Sequence, residues 1–211
     1  MNRLPGIVTQ HIAALRALLL FTVILGIGYP VLMFGVGQAA LRHQANGSLV
    51  SYHGQVVGSS LLCQEFVTAT GRPLPQYFQP RPSASATSAT NQTGGCDPLA
   101  SEASNLGPNN PVLVQDIRQR QRQIAKFDHV PVSAIPPDAV TVSASGLEAY
   151  ISPQNAAIQV NRVATARHIS PGTVRALVKK YTFGRQLGFL GEPGVNVLLL
   201  NIALDKQHPV P

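Results

Sequence analysis

The sequence predicts one N-terminal transmembrane helix followed by a mixed α/β (α+β) extracytoplasmic domain. Three observations predict it. The run Ala17 to Leu41, 25 residues between Arg16 and Arg42, contains no charge. As a helix it would reach roughly 37 Å, enough to cross a hydrocarbon core of about 30 Å with some tilt. The residues after it mix short β-type runs with Pro-capped helical patterns. No second run of that length and polarity occurs.

Residues 1–16 are expected to be a cytoplasmic N-terminus, 17–41 the transmembrane helix and 42–211 the extracytoplasmic domain. Gly37-Gln38-Ala39 resembles a signal-peptide cleavage site, but a signal core usually has about 7 to 15 apolar residues, so an uncleaved anchor is expected. Arg3 and Arg16 precede the run and only Arg42 follows it closely, a thin bias toward a cytoplasmic N-terminus. Pro30, close to Gly26 and Gly28, predicts a kink or local unwinding near Tyr29. Gly35 and Ala39, four apart, would let another helix approach closely, although Gly is common in membrane helices generally.

The net charge is +7, of which the first 42 residues supply three Arg and no acid. No block of Lys and Arg interleaves with aromatics, and there is no Trp, which argues against a nucleic-acid surface. Cys63 and Cys96 both fall in the expected exported body, where a disulfide is permitted; their number alone leaves paired and free thiols both open.

Along the body, Asn46-Gly47 is a turn signal and Gln55 to Leu62 reads as one or two short strands. The prolines between Gly71 and Ser83 exclude regular helix and leave an aromatic-bearing loop. Residues 84–104, rich in Ser, Ala and Thr, are expected to be a flexible loop, with a sequon at Asn91-Gln92-Thr93. Asn110-Pro111 opens a helix with Leu113, Ile117, Ile124 and Phe127 on one face and a basic remainder, Arg118, Arg120, Arg122 and Lys126, that reads as solvated surface. Val130 to Asp138 is a Pro-rich connection, Val140 to Val142 a short strand, and Ser143 to Gly146 a tight turn. Ser152-Pro153 and Ser170-Pro171 each start a further helix, the first running to about His168. Val195 to Leu204, almost continuously apolar, reads as a strand buried on both faces.

The chemistry sought is absent. The chain has no phosphate-cradling Gly-x-x-x-x-Gly-Lys-Ser/Thr loop, no Gly-x-Ser-x-Gly elbow and no His or Cys spacing that seeds a metal site. An acid–base pair of Glu148 with Asp138 is conceivable, but nothing singles it out. Residue by residue, the reading is a membrane-anchored domain with no catalytic and no metal residues.

A series of short motifs adds to this. Ala45-Asn46-Gly47-Ser48-Leu49, Gln64-x-Phe66, Tyr77-Phe78-x-Pro80-Arg81-Pro82-Ser83 and Ser104-Asn105-Leu106-Gly107-Pro108 are followed by Ser143-Ala144-Ser145-Gly146-Leu147, Ile151-Ser152-Pro153 and Arg162-Val163-Ala164-x-Ala166-Arg167. The series closes with Leu187 to Glu192, Val195-Asn196-Val197-Leu198 and Leu200-Asn201-x-Ala203-Leu204-Asp205. In this order they resemble the KdpC family, the small accessory subunit of the bacterial potassium-transporting Kdp P-type ATPase.

The resemblance implies a non-pumping subunit of a potassium-uptake complex in the bacterial inner membrane, single-pass, with its main domain over the external ion entrance. It implies a potassium-channel-like subunit and a P-type ATPase subunit as partners, besides membrane lipid. It implies that K+ and ATP are handled by the complex, with no cofactor bound firmly here, and that the subunit raises the pump's ATP affinity as a catalytic chaperone. Asp205-Lys206 continues Gln-His, so this chain lacks the phosphorylation motif of the pump subunit. Two positions depart from the family pattern, Cys63 for a usual Gly and Glu148 for a usual Asp, and the segment Thr90 to Ala103, with Cys96, looks longer than usual. A Cys63–Cys96 bond tying that segment down is therefore expected. Gln64, Tyr77, Asn105 and Ser145 are candidates for ion-entrance or partner contact, by their neutral oxygens alone. The competing function is a stand-alone anchored hydrolase using a serine of Ser143 to Ser145.

Overall fold

The computed structural model describes residues 5–85 and 95–210. The chain divides into two compact units, Met1–Ser48 and Leu49–Pro211.

The first unit is helical. Helix α1 (Gly6–Val23) passes through a π-helical turn, Ile24–Gly28, into α2 (Tyr29–Ala40), and a short α3 (Arg42–Ala45) follows. The Tyr29 amide donates to the Ile24 carbonyl, five residues back rather than four. The wider turn sits immediately before Pro30, whose ring has no N–H to continue the α ladder. Helix starts eleven residues before Ala17, because Arg16 and His11 end an apolar run without breaking a backbone; Pro5 begins it. Gly6–Ala40 has a window of mean hydropathy 2.3 and buries no residue within the chain, so its length and composition suit a membrane span. After Leu41 leaves helical geometry, Gln38 and Asn46 bond side chain to side chain at 3.1 Å.

The second unit opens with a hairpin, β1 (Leu49–Tyr52) antiparallel to β2 (Gln55–Ser59). Its two-residue turn, His53-Gly54, has both φ values positive, the conformation whose twist matches paired strands. The chain then runs irregularly to α4 (Pro111–Asp128) and α5 (Pro137–Val140). A three-stranded antiparallel sheet, ordered β3 (Tyr150–Ile151), β5 (Gly194–Asn196), β4 (Thr182–Phe183), packs with α6 (Pro153–Ala166), α7 (Pro171–Lys180) and α8 (Val197–Gln207). Val160 and Val163 from α6, Val174 and Leu177 from α7, and Leu200 and Leu204 from α8 meet Ile151 and Val195 in one core. The helix starts follow the expected cap chemistry: Asn110, Ser152 and Ser170 accept from Val112, Asn155 and Thr173 amides at 2.9 to 3.0 Å.

Two segments differ from expectation. Of the apolar run only Val195 and Asn196 are strand, within Gly194–Asn196; Val197–Gln207 is helix. A run buried on every side carries no period to separate the two states, and the Asn196 side chain, accepting from the Leu199 amide at 2.9 Å, caps a helix there. Val140 to Val142 forms no strand. Pro137, fixed at a helical φ, starts a helical turn that takes in Val140, and the Thr141 hydroxyl donates back to the Pro137 carbonyl at 2.8 Å.

The Pro-rich loop does more than connect, since Phe78 is fully buried within the core. Of residues 84–104, the described flanks are fastened. The Ser85 hydroxyl donates to the Gly95 carbonyl at 2.6 Å and accepts from the Asp97 amide at 3.2 Å. Residues 86–94, with the sequon at Asn91, lie outside the described residues.

Candidate functional site

The four neutral-oxygen candidates differ in their local surroundings. The Tyr77 hydroxyl donates to Asp205 Oδ2 at 3.2 Å, and its ring lies 4.9 Å from Phe66 and 4.9 Å beneath the Arg167 guanidinium. Burial first, and the Asp205 charge second, push its phenol above the ordinary range, so it stays protonated. Gln64 is half-buried over Gly58, where a Cβ would stand 2.6 Å from Gln64 Oε1. Asn105 is exposed with φ 52°, a left-handed conformation that Asn tolerates better than most residues. Ser145 is exposed, and its hydroxyl accepts from the Leu147 amide at 3.1 Å within its own turn.

That turn is a junction. The Ser145 carbonyl accepts from the Glu102 amide at 3.0 Å and the Ser101 hydroxyl at 2.9 Å, while the Cys63 amide donates to Leu147 at 3.0 Å. Gly146, at φ 72°, is required here, because a Cβ would stand 2.6 Å from the Glu102 carbonyl. Cys63 and Cys96 are joined by a disulfide, with Cα atoms 5.8 Å apart. The described part of the extra segment is thus held at two points, by the bond at Cys96 and by the Ser145 junction at Ser101 and Glu102.

Glu148 and Asp138 are held by different partners. Arg81 binds Glu148, whereas Asp138 accepts from the Ser152 amide and hydroxyl at 2.9 and 2.7 Å and from Asn155 at 3.0 Å. Each carboxylate serves its own anchor.

The densest polar chemistry is a buried seam that the sequence reading missed. Arg162 donates to Asp128 Oδ1 at 2.6 Å, to the Pro75 and Tyr77 carbonyls at 2.6 and 2.8 Å, and to Gln159 at 2.8 Å. Arg167, one turn on, reaches Asp205 at 2.7 Å, the Gln76 carbonyl at 2.7 Å and the His208 carbonyl at 2.8 Å. Burial raises Asp128 above its ordinary range and lowers Arg162, each opposed by the attraction between them. The seam pins the Pro-rich strap to α6 and α8. Its signal was present: two arginines in an otherwise Ala- and Val-rich helix must find partners if that helix is buried.

Among the described residues no three His, Cys, Asp or Glu side chains are grouped to hold a metal ion. On the apolar helix, a Cβ at Gly35 would meet nothing within 4 Å, and Ala39 is exposed beside it on the same face. The exposed Arg118, Arg122 and Lys126 of α4 project from the body.

Comparison with known proteins is consistent across the chain. Residues 11–206 match the family model described as KdpC, the K+-transporting ATPase, c chain. A protein of Methylococcus capsulatus named potassium-transporting ATPase KdpC subunit is 47% identical over 192 residues, 91% of this chain and 95% of that one. One of the same name from Kineococcus radiotolerans is 45% identical over 206 residues, 98% of each chain. Another, from Sorangium cellulosum, is 48% identical over 192 residues, 91% of this chain and 95% of that one.

Proposed function

This chain belongs to the KdpC family of potassium-transporting ATPase subunits, and from that premise we propose that it is a non-pumping subunit that assembles and stabilises the complex. Its helix packs in the bilayer against helices of a channel-like subunit and of the P-type pump subunit. Its body lies outside the cytoplasm and covers the external ion entrance.

The observation that carries the orientation is the Cys63–Cys96 disulfide, because such bonds persist in oxidising compartments and are rare in the cytosol. The Arg3 and Arg16 bias of the sequence supports the same topology. Of the neutral-oxygen candidates, Asn105 and Ser145 are the exposed ones and the better suited to meet an ion or partner; Tyr77 is committed to Asp205 and Gln64 to packing over Gly58. K+ and ATP are handled by the complex. The body and cytoplasmic nucleotide then lie on opposite sides of the membrane, so any rise in the pump's ATP affinity is conveyed through the partner subunits. No observation favours a hydrolase, since the Ser145 hydroxyl is engaged by its own turn and Ser143 is buried.

The test is purification of this chain from native membrane in mild detergent, with hydrolysis of ATP followed against potassium. The reading expects large membrane partners and potassium-stimulated hydrolysis that falls when this chain is stripped away. A chain that purifies alone from cells expressing the whole transport operon would overturn it.

A further inference from the structure

Between α7 and β5 the chain projects a tight apolar tip. The Gln186 amide donates to the Leu190 carbonyl at 2.8 Å and the Leu190 amide returns to Gln186 at 2.9 Å. Leu187, at φ 53°, and Gly188, at φ 82°, turn between them. Leu187 is 82% exposed, Phe189 68% and Leu190 47%. The base is fixed: Phe183 packs over Gly194 and meets the Tyr150 ring edge-on at 4.7 Å, and Arg185 holds both Glu192 oxygens at 2.8 Å.

The tip is a small apolar wedge with a basic approach. From Pro171 to Gly191 the sequence has Arg175, Lys179, Lys180 and Arg185 and no acid. Arg175, Lys179 and Lys180 are exposed on α7, which leads into the wedge, and Glu192 is the acid that offsets Arg185. A Leu-Phe-Leu tip that follows exposed cations along the chain is the pattern that lies in a bilayer interface, with apolar groups among acyl chains and ammonium and guanidinium groups at anionic headgroups. This chain carries its own membrane span, and only residues 41–48 separate that helix from the body. The geometry points to Leu187, Phe189 and Leu190 as a second membrane contact, seated in an anionic lipid surface with Lys179 and Lys180 at its headgroups. This contact rests on the membrane-anchored reading but does not require the partner subunits.

The full-length chain, alone in vesicles, tests it. Leu187→Cys is labelled with an environment-sensitive fluorophore, the native cysteines being paired, and Val132→Cys, outside the tip, serves as the exposed control. In vesicles of brominated phosphatidylcholine with about a third phosphatidylglycerol, quenching at position 187 should exceed that at 132 by about threefold. It should fall by half or more without phosphatidylglycerol, or when Lys179→Gln and Lys180→Gln are added. Equal quenching at both positions would overturn the proposal. So would a label at 187 that aqueous iodide reaches in vesicles and that becomes shielded only when the other ATPase subunits are present, which would mark a protein-docking tip. A chain that passes the lipid test yet co-purifies with nothing would fail the subunit reading alone.

Discussion

Asn201 and Phe78 bond in both directions: the Phe78 amide donates to Asn201 Oδ1 at 2.9 Å, and Asn201 Nδ2 donates to the Phe78 carbonyl at 2.9 Å. Asn201 is fully buried on α8, and Phe78 fully buried in the Pro-rich strap 123 residues earlier. A strap with no strand partner must satisfy its backbone elsewhere, and here one carboxamide does both halves. Asn201→Leu keeps the forked side-chain shape but leaves a buried N–H and C=O unpaired. It should cost about 2–6 kcal/mol, at about 1–3 kcal/mol for each of the two orphaned groups. Chemical denaturation of the purified chain measures it; a loss under about 1 kcal/mol would mean that water or a shifted strap replaces the bonds.

Arg162→Met should cost about 3–5 kcal/mol, because it strands the buried Asp128 carboxylate as well as the Pro75 and Tyr77 carbonyls. Adding Asp128→Asn should recover part of that loss, since the uncompensated charge is gone. Stability of the two variants and the pair, compared as a double-mutant cycle, checks the coupling.

Reduction of Cys63–Cys96, or Cys96→Ser, should lower stability by about 3–4 kcal/mol on the loop-entropy account for a separation of 33 residues. Thermal unfolding with and without reductant reads this directly. Reductant should leave the midpoint of the Cys63→Ser, Cys96→Ser double variant unchanged.

Burial pushes the Glu65 carboxyl above its ordinary 4.5. An acid whose folded value is raised binds its proton more tightly in the folded state. Its contribution to stability is full below 4.5 and is lost as pH rises through the folded value. Glu65→Gln should therefore raise Tm relative to the parent at pH 7, with the gap closing by about pH 4. A gap that is constant across that range would assign the effect to packing rather than charge.

Gly35→Leu should leave the isolated chain's helix content and body stability unchanged, since nothing in the chain stands within 4 Å of the added Cβ. It should reduce recovery of partner subunits by several-fold if that face packs on another helix, as small residues at membrane interfaces do. Ala17→Leu, exposed elsewhere on the same apolar span, controls for added apolar bulk as such. Equal recovery from both variants would place the interface elsewhere on the helix.

The exposed Asn105 can be tested without straining the backbone. Asn105→Gly tolerates the left-handed φ of 52° and removes the side chain with its carboxamide. If that group meets the ion or the channel-like subunit, potassium uptake by the assembled complex should fall at least threefold. Uptake equal to that of the parent would remove Asn105 from the entrance.

The sequence by itself determined the apolar span, the break before Pro30, the starts of α4, α6 and α7, and the family. Each follows from local physics: an uncharged run long enough for a bilayer, a ring without an N–H, and Asn or Ser placed to cap a first turn ahead of Pro. Tertiary structure decided what local pattern left degenerate. Val197 to Leu204 is apolar except for Asn201 and carries no period that separates helix from strand, so its helical state depends on the Asn196 cap and on packing against α7 and β5. Tyr77 and Gln64 looked like available oxygens until Asp205 and Gly58 were brought beside them. Arg162 and Asp128 stand 34 residues apart, and their pairing is visible only when burial makes an unpaired charge too costly to keep.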